Sequence, residues 1–479
     1  MTVPYNYVIR LIAIRASHTV VSTPVSGELA DFIANANFHD FAPESVKEAK
    51  RRLIDSFGVM LAALDAPPAL VARKIAERWP SPNGATVLGS RERANPHYAS
   101  FANGVLVRYL DFNDTYLSRE AIHPSDIIPA LIAAGECYQV SGEDLLRGIL
   151  VGYEVACAMS DAATLRDRGF DHVSNIALGS AAGVSSLLGL DAKKAEEAVN
   201  IAATHAAALR QTRVGELSMW KGCAASFAAS IGLYAALLAS EGMTGPRPVF
   251  EGELGYMKAV SGPFTMPKLT RNAARILRTS IKWWPVEYHS MSAVECILKI
   301  GEALGEIKPS DVEQILVKTF TVAYKIIVKD REKWRPRSRE TADHSLPYIV
   351  ARGLLDNYIW LDSFKEPKLV DPSVLELMEK MRIEVDPRYD ETYPNAVGTS
   401  ITIVLRDGRR LSEEVLYPKG HFMNPLSDEE LYNKFHRLSE GALGEEAKNL
   451  WERVLTLERL KNLEPLLSPL RGVSGYSKA

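Results

Sequence analysis

The sequence predicts a mainly helical fold with an α+β part, and three observations carry that reading. Apolar residues keep helical spacing almost throughout from about Ser26 to Arg278. Period-two alternation appears only after Pro285, where Asp407-Gly408 joins two alternating runs in the manner of a two-residue hairpin. Beyond Pro418 the alternation stops and helical patterning resumes.

Taken in order, Met1 to Val21 carry Arg10 and Arg15 among apolar residues without an uninterrupted apolar run, so residues 1–22 are expected to be an extension and not a signal peptide or membrane anchor. Val46, Ala49, Leu53, Ile54 and Phe57 space a helix that ends near Pro67-Pro68. Ser141-Gly-Glu-Asp144 reads as a capping box opening a helix through Leu145, Leu146, Ile149 and Leu150. Stretches 176–190 and 197–208 are rich in Ala, Gly and Ser, as in helices packed closely all round. Glu313–Phe320, Met381–Val385, Ser400–Arg406 and Arg410–Tyr417 read as strands, with helical segments around 343–357 and 373–380. Ser427-Asp-Glu-Glu430 caps the last helical stretch. That stretch is either a third small piece or a return to the first helical body, which would make the α+β unit an insertion.

The 479 residues suffice for two or three domains and for a core that needs neither disulfides nor a metal. Apolar residues make up 47% and charged residues 24%, an ordinary soluble composition. Fifty-six Lys and Arg against 59 Asp and Glu leave a net charge of −3, which argues against nucleic acid as a partner. Cys137, Cys157, Cys223 and Cys296 lie far apart with no C-x-x-C pair, against zinc ribbons and iron–sulfur spacings. Buried thiols in a reducing, cytoplasmic setting are the expectation. Walker, dinucleotide-fingerprint, nucleophile-elbow and H-E-x-x-H motifs are absent, so kinase, dehydrogenase, serine hydrolase and zincin readings lose their first requirement.

Polar groups concentrate in five stretches instead. In the first, Asp111 to Asp126, Asp111, Asp114 and Thr115 share a turn before His123-Pro124 starts a new helix. His172, after Arg168-Gly-Phe-Asp, precedes an Ala/Gly/Ser helix whose N-terminus favours a neutral imidazole. Arg210, Arg213 and Lys221 sit between apolar helices and suit a carboxylate or phosphate, although structural ion pairs explain such residues as often. Lys282 to His289 marks the junction of the two textures. Asp343, His344 and Ser345 lie beside a helix start that leads to Tyr348, where capping alone would account for them. The inventory of histidines, carboxylates and cations without metal-ligand spacing suits metal-free acid/base chemistry on an anionic substrate.

These stretches resemble the MmgE/PrpD family. The matching segments are DFNDTYLSREAIHPSD from Asp111, RGFDHV from Arg168, LSMWKG from Leu217, KWWPVEYHSMSAVE from Lys282, RETADHSLPYIVARGLLD from Arg339 and YPKGHFMNPLSDEEL from Tyr417, in family order. The resemblance implies an all-helical domain formed by residues 23–278 and 418–479, with an α+β lid domain inserted at 279–417. It implies a homodimer through the helical domain, no metal or other cofactor, no membrane, and a small tricarboxylate as substrate. The reaction implied is dehydration of 2-methylcitrate, with cis-aconitate decarboxylation and dicarboxylate epimerisation as sister reactions and non-catalytic polycarboxylate binding as the reading from another class.

Carried over by position, Asp111, Thr115, His123, His172, Lys282 and Tyr348 match pocket positions, and Lys221, His289, His344 and Ser345 fall in shared stretches. Asp111 or His172 is the expected base and His123 the acid, with the roles exchangeable. Lys282, with Lys221 or Arg213, would clamp carboxylates, and Tyr348 and His344 would complete the site from the lid. Phe422 and Trp283-Trp284 depart from the family pattern and are expected to narrow the pocket.

Overall fold

The computed structural model describes residues 23–475; the expected extension at 1–22 lies outside them. Two hydrophobic cores organise the chain. The larger draws on residues from Val25 to Ile281 and again from Leu426 to Leu470. The smaller is built from Trp284 to Val415, with Leu117 reaching in from the other body. The chain therefore leaves the helical core once, builds the second core, and returns.

The larger core is helix on helix. Helix Gly142–Ala162 opens on the capping box Ser141–Asp144, and helix Val173–Leu187 is buried along its whole length. Glycines let these two backbones meet: a Cβ on Gly152 would stand 2.9 Å from the Gly179 carbonyl oxygen, and one on Gly183 2.7 Å from that of Gly148. That contact anchors the N-terminus of Val173–Leu187, where His172 sits. Helix Asp428–Leu443, capped by Ser427 and Glu430, lays Phe435 on Gly58 of helix Pro43–Ala62. Buried Lys434 fixes the return by donating to Asp55 Oδ1 (2.6 Å), the Phe112 carbonyl (3.0 Å) and the Lys282 carbonyl (2.7 Å).

Two parts of the first half are not helical as expected. Strands β1 (Pro80–Thr86) and β2 (Arg93–Ala94) form a small antiparallel pair, and between Gly242 and Tyr288 only single turns form, such as Ala274–Arg278. Prolines 246, 248, 263 and 267 and glycines 252, 255 and 262 explain the latter, since they withhold amide donors and favour turns.

The second core is a four-stranded sheet backed by helices. Strands β3 (Val312–Thr319), β4 (Met381–Val385), β5 (Thr399–Leu405) and β6 (Arg410–Val415) lie in the order β4-β3-β5-β6, with β3 and β4 parallel and the other pairs antiparallel. In β5 Thr399, Ile401, Ile403 and Leu405 are buried and the residues between them less so, the period-two signature of a sheet covered on one face. Helices Met291–Leu304 and Leu346–Asp356 pack on each other in the same core, and the first also lies against β5 and β6. Among the described residues no single helix is long and apolar enough to cross a membrane.

Candidate active site

Helix Pro96–Tyr109 ends at Arg108 and Tyr109, and Asp111 follows in the left-handed region at φ 51°. Aspartate tolerates that conformation better than most residues, yet it stores strain that neighbouring contacts must hold. Arg108 Nη1 donates to Asp111 Oδ1 (2.9 Å), and Lys282 Nζ donates to the same oxygen (2.5 Å) and to the Asp111 carbonyl (2.8 Å). Lys221 Nζ takes Oδ2 at 2.8 Å, with His344 Nε2 3.3 Å from it. Burial alone would raise the Asp111 pKa, but Arg108, Lys221, Lys282 and His344 outweigh it and hold the carboxyl well below the ordinary range.

Asp343 forms the second layer. Its Oδ1 is 2.6 Å from His344 Nδ1 and 3.8 Å from Lys221 Nζ, while Arg339 Nη1 lies 3.4 Å from Oδ2. Burial and then Lys221 push His344 down to about 4, against the opposing pull of Asp343 and Asp111. Asp111, Asp343 and His344 bring potential metal-ligand atoms within 4.8 Å of one another. Both Asp111 oxygens are already taken by cations, so a divalent ion would have to displace Arg108 and two ammonium groups.

The other half of the cleft is built differently. His123 Nδ1 lies 2.7 Å from the Asp114 carbonyl and 3.2 Å from Thr115 Oγ1. A carbonyl only accepts, so Nδ1 carries the proton and Nε2 a lone pair. Burial, then Arg108 and Lys282, push the His123 pKa well below the ordinary value. Its ring stands edge-on to His172 at 5.8 Å between centroids. His172 Nδ1 is 3.0 Å from Asp171 Oδ1, and its buried Nε2 has no partner among the described residues. Arg213 Nε donates to Asp171 Oδ2 (3.0 Å) and Nη1 to the Lys221 carbonyl (3.2 Å), while its buried Nη2 has no hydrogen-bond partner among the described residues. Burial lowers His172 more than Asp171 raises it, so the resting ring is neutral at pH 7. Asp171, by contrast, is held ionised: burial opposes its charge, but Arg213 and His172 outweigh it.

Asp111, His123, His172, Arg213 and His344 line one cleft with walls from both cores. Arg108, Arg166, Arg210, Arg213 and Lys333 supply five cations to it against the carboxylates of Asp111, Glu120 and Glu287. Such a cavity favours an anion.

Of the residues expected from sequence, Asp111, His123, His172, Arg213, His289 and His344 line the cleft. Lys221 and Lys282 stand behind Asp111 and bond it, and Thr115 braces His123 while its backbone pairs with Ser280. His289 Nδ1 pairs with Glu287 Oε1 at 2.6 Å, and Nε2 is 3.3 Å from the Tyr393 hydroxyl. Tyr348 does not join the site: its hydroxyl donates to the Ser363 carbonyl (2.6 Å) inside the second core, beside Phe364. Ser345 caps that helix by accepting from Tyr348 N and donates to the Lys333 carbonyl.

Phe422 and Trp283-Trp284 do not line the cleft either. Phe422 packs on His421 and beneath Arg278, Lys419 covers Trp283, and Trp284 lies in the second core. Sequence reasoning missed Arg108, Glu287 and Lys333. For Arg108 there was a signal, a cation inside the apolar run Val105-Leu106-Val107.

Residues 27–268 match the MmgE/PrpD N-terminal domain, and residues 284–459 match the MmgE/PrpD C-terminal domain. Among relatives, the chain is 27% identical to a mitochondrial 2-methylcitrate dehydratase of Yarrowia lipolytica over 82% of its own length and 79% of the relative's. It is 28% identical to the 2-methylcitrate dehydratase of Salmonella typhimurium over 77% and 80%. It is likewise 28% identical to the cis-aconitate decarboxylase of Homo sapiens over 90% and 91%.

Proposed function

The chain belongs to the MmgE/PrpD family, and from that membership we propose that it is a lyase dehydrating 2-methylcitrate to 2-methylaconitate by side-chain acid/base catalysis. The observation that carries this reading is His172 Nε2, which has no hydrogen-bond partner among the described residues, on a ring backed by Asp171, the carboxylate that Arg213 also bonds, in a cation-rich cleft. His172 takes the proton from the carbon next to a substrate carboxylate, and Asp171 stabilises the imidazolium that forms. Negative charge then grows on the carboxylate oxygens, where Arg213 and the field of Arg108, Lys221 and Lys282 offset it. The leaving hydroxyl departs as water with the proton returned by His172.

His123 was expected to be the acid. Its surroundings favour another part: a neutral ring with Nδ1 donated to Asp114 has a lone pair to accept the substrate hydroxyl and no proton to give. Asp111, the alternative base, has both oxygens committed to cations, and it serves to fix Lys221, Lys282 and His344.

Decarboxylation of cis-aconitate is the second reading, favoured by the longer alignment with the human decarboxylase, 90% of this chain against 77% for the Salmonella dehydratase. Both reactions need the same carboxylate clamp, so product analysis decides. Purified protein is incubated with 2-methylcitrate stereoisomers, citrate and cis-aconitate, with and without chelator, and products are identified by NMR. Chelator-insensitive formation of 2-methylaconitate is expected. Carbon dioxide release from cis-aconitate with no alkene from 2-methylcitrate would replace the dehydratase with the decarboxylase.

A further inference from the structure

Lys333 sits in a one-turn segment, Arg331–Trp334, that belongs to the second body and lines the cleft. Its side chain is only 4% exposed, yet its ammonium makes no hydrogen bond and no ion pair among the described residues. Asp343, Asp330, Glu287 and Glu332 are near enough for their charges to favour the ammonium, but none of them bonds it, and Asp343 and Glu287 are engaged by His344 and His289. The segment itself is firmly placed. Ser345 Oγ donates to the Lys333 carbonyl, and Trp334 Nε1 donates to the Val328 carbonyl (2.9 Å). A cation held rigidly at its backbone and left unpaired at its tip carries a desolvation cost that the surrounding carboxylates offset only in part, and an anion entering the cleft is what removes the rest.

Arg213 presents the counterpart from the helical body, with a buried Nη2 that also lacks a hydrogen-bond partner among the described residues. The two free donors therefore come from different bodies of the fold and face one cavity. We propose that Lys333 is a substrate-binding residue that receives one carboxylate of the substrate while Arg213 receives another, so that a polycarboxylate bridges the two bodies and Lys333 sets the preference for three carboxylates over two. This rests on the reading of the cleft as a polycarboxylate site. It also gives Ser345 a positioning part, holding the Lys333 backbone rather than touching substrate.

The test is calorimetric titration of the full chain with propane-1,2,3-tricarboxylate, which has no hydroxyl to eliminate, and with glutarate as the two-carboxylate probe. Lys333→Gln is expected to weaken the tricarboxylate by about tenfold or more, the scale of one charge-assisted hydrogen bond, and to leave glutarate within about twofold. Lys333→Arg restores most of the difference. In turnover the same change raises KM and leaves kcat nearly unaltered. Without ligand, Lys333→Gln is expected to hold or raise Tm because an unpaired charge is removed, whereas a structural role would lower it. Equal weakening of both probes, or a lowered ligand-free Tm, overturns the proposal while leaving the polycarboxylate reading intact. Failure of the unaltered protein to bind either probe overturns that reading and this one together.

Discussion

Around Asp111, the two carboxylates of Asp111 and Asp343 are bonded or closely approached by Arg108, Lys221, Lys282 and Arg339. Around His172, two polar atoms of the same cleft, His172 Nε2 and Arg213 Nη2, have no hydrogen-bond partner among the described residues. Both regions are buried and rich in charge, so composition does not distinguish them. What differs is where the unbonded atoms lie: around Asp111 both carboxylate oxygens are bonded and it is Arg108 Nε and Asp343 Oδ2 that are left over, whereas at His172 it is the reactive ring nitrogen itself. A satisfied network fixes positions and fields, and removing one member leaves others stranded. Unsatisfied atoms reserve their bonds for something that enters from outside.

The sharpest way to break this contrast is to substitute one residue from each side. His172→Ala is expected to lower kcat by about 10²–10⁴ with Tm within a few degrees of the unaltered protein. Asp111→Ala is expected to lose activity and also about 3–5 kcal/mol of stability, because two lysines and an arginine lose their buried partner. Denaturant melts beside steady-state kinetics separate the two patterns. Equal loss of stability in both variants would end the distinction.

A smaller effect comes from pH. His123, His172 and His344 all have folded pKa values below the unfolded value, His344 at about 4. Below about pH 6.5 the unfolded chain binds protons at these positions that the folded chain refuses, so stability is full above that pH and falls as pH drops toward 4. Thermal melts across pH 7 to 4 should show the decline, and His344→Asn should flatten it. The acid limb of kcat/KM should likewise lie below the ordinary histidine value, and Asp171→Asn should move it lower still by removing the carboxylate that favours imidazolium.

The smallest effect is expected at Tyr348. Tyr348→Phe removes a hydrogen bond to the Ser363 carbonyl and costs about 1–2 kcal/mol of stability, with kcat/KM within about threefold. A hundredfold loss of kcat would show that the hydroxyl leaves the second core to reach substrate.

Much of this was legible in the sequence, for local reasons. The capping boxes at Ser141 and Ser427 and the Asp407-Gly408 hairpin stand where spacing put them, because each is decided within a few residues. The polar stretches around Asp111, His172 and Lys282 do converge. Whether a given polar residue faces the cleft is set by contacts remote in sequence, such as Tyr348 with Ser363 or Lys221 with Asp111. Lys333 lies in the unremarkable polar run Asp-Arg-Glu-Lys, so its burial and isolation exist only in three dimensions. The pairing of β1 with β2 was similarly silent, since Pro80–Thr86 carries neither alternation nor β-branched enrichment.

The bond from Lys434 to the Phe112 carbonyl spans 322 residues, and the same ammonium holds the carbonyl of Lys282. On a ribosome adding about 5–20 residues per second, roughly 15–60 s separate the emergence of these partners. Throughout that interval the helical core lacks one of its walls, whereas the sheet of β3 to β6 has every strand it needs once Val415 is made, before the helix Asp428–Leu443 that carries Lys434. The α+β body is thus free to mature on a helical body that is still open, and the carbonyls of Phe112 and Lys282 gain their Lys434 bonds only when the segment after Pro418 docks.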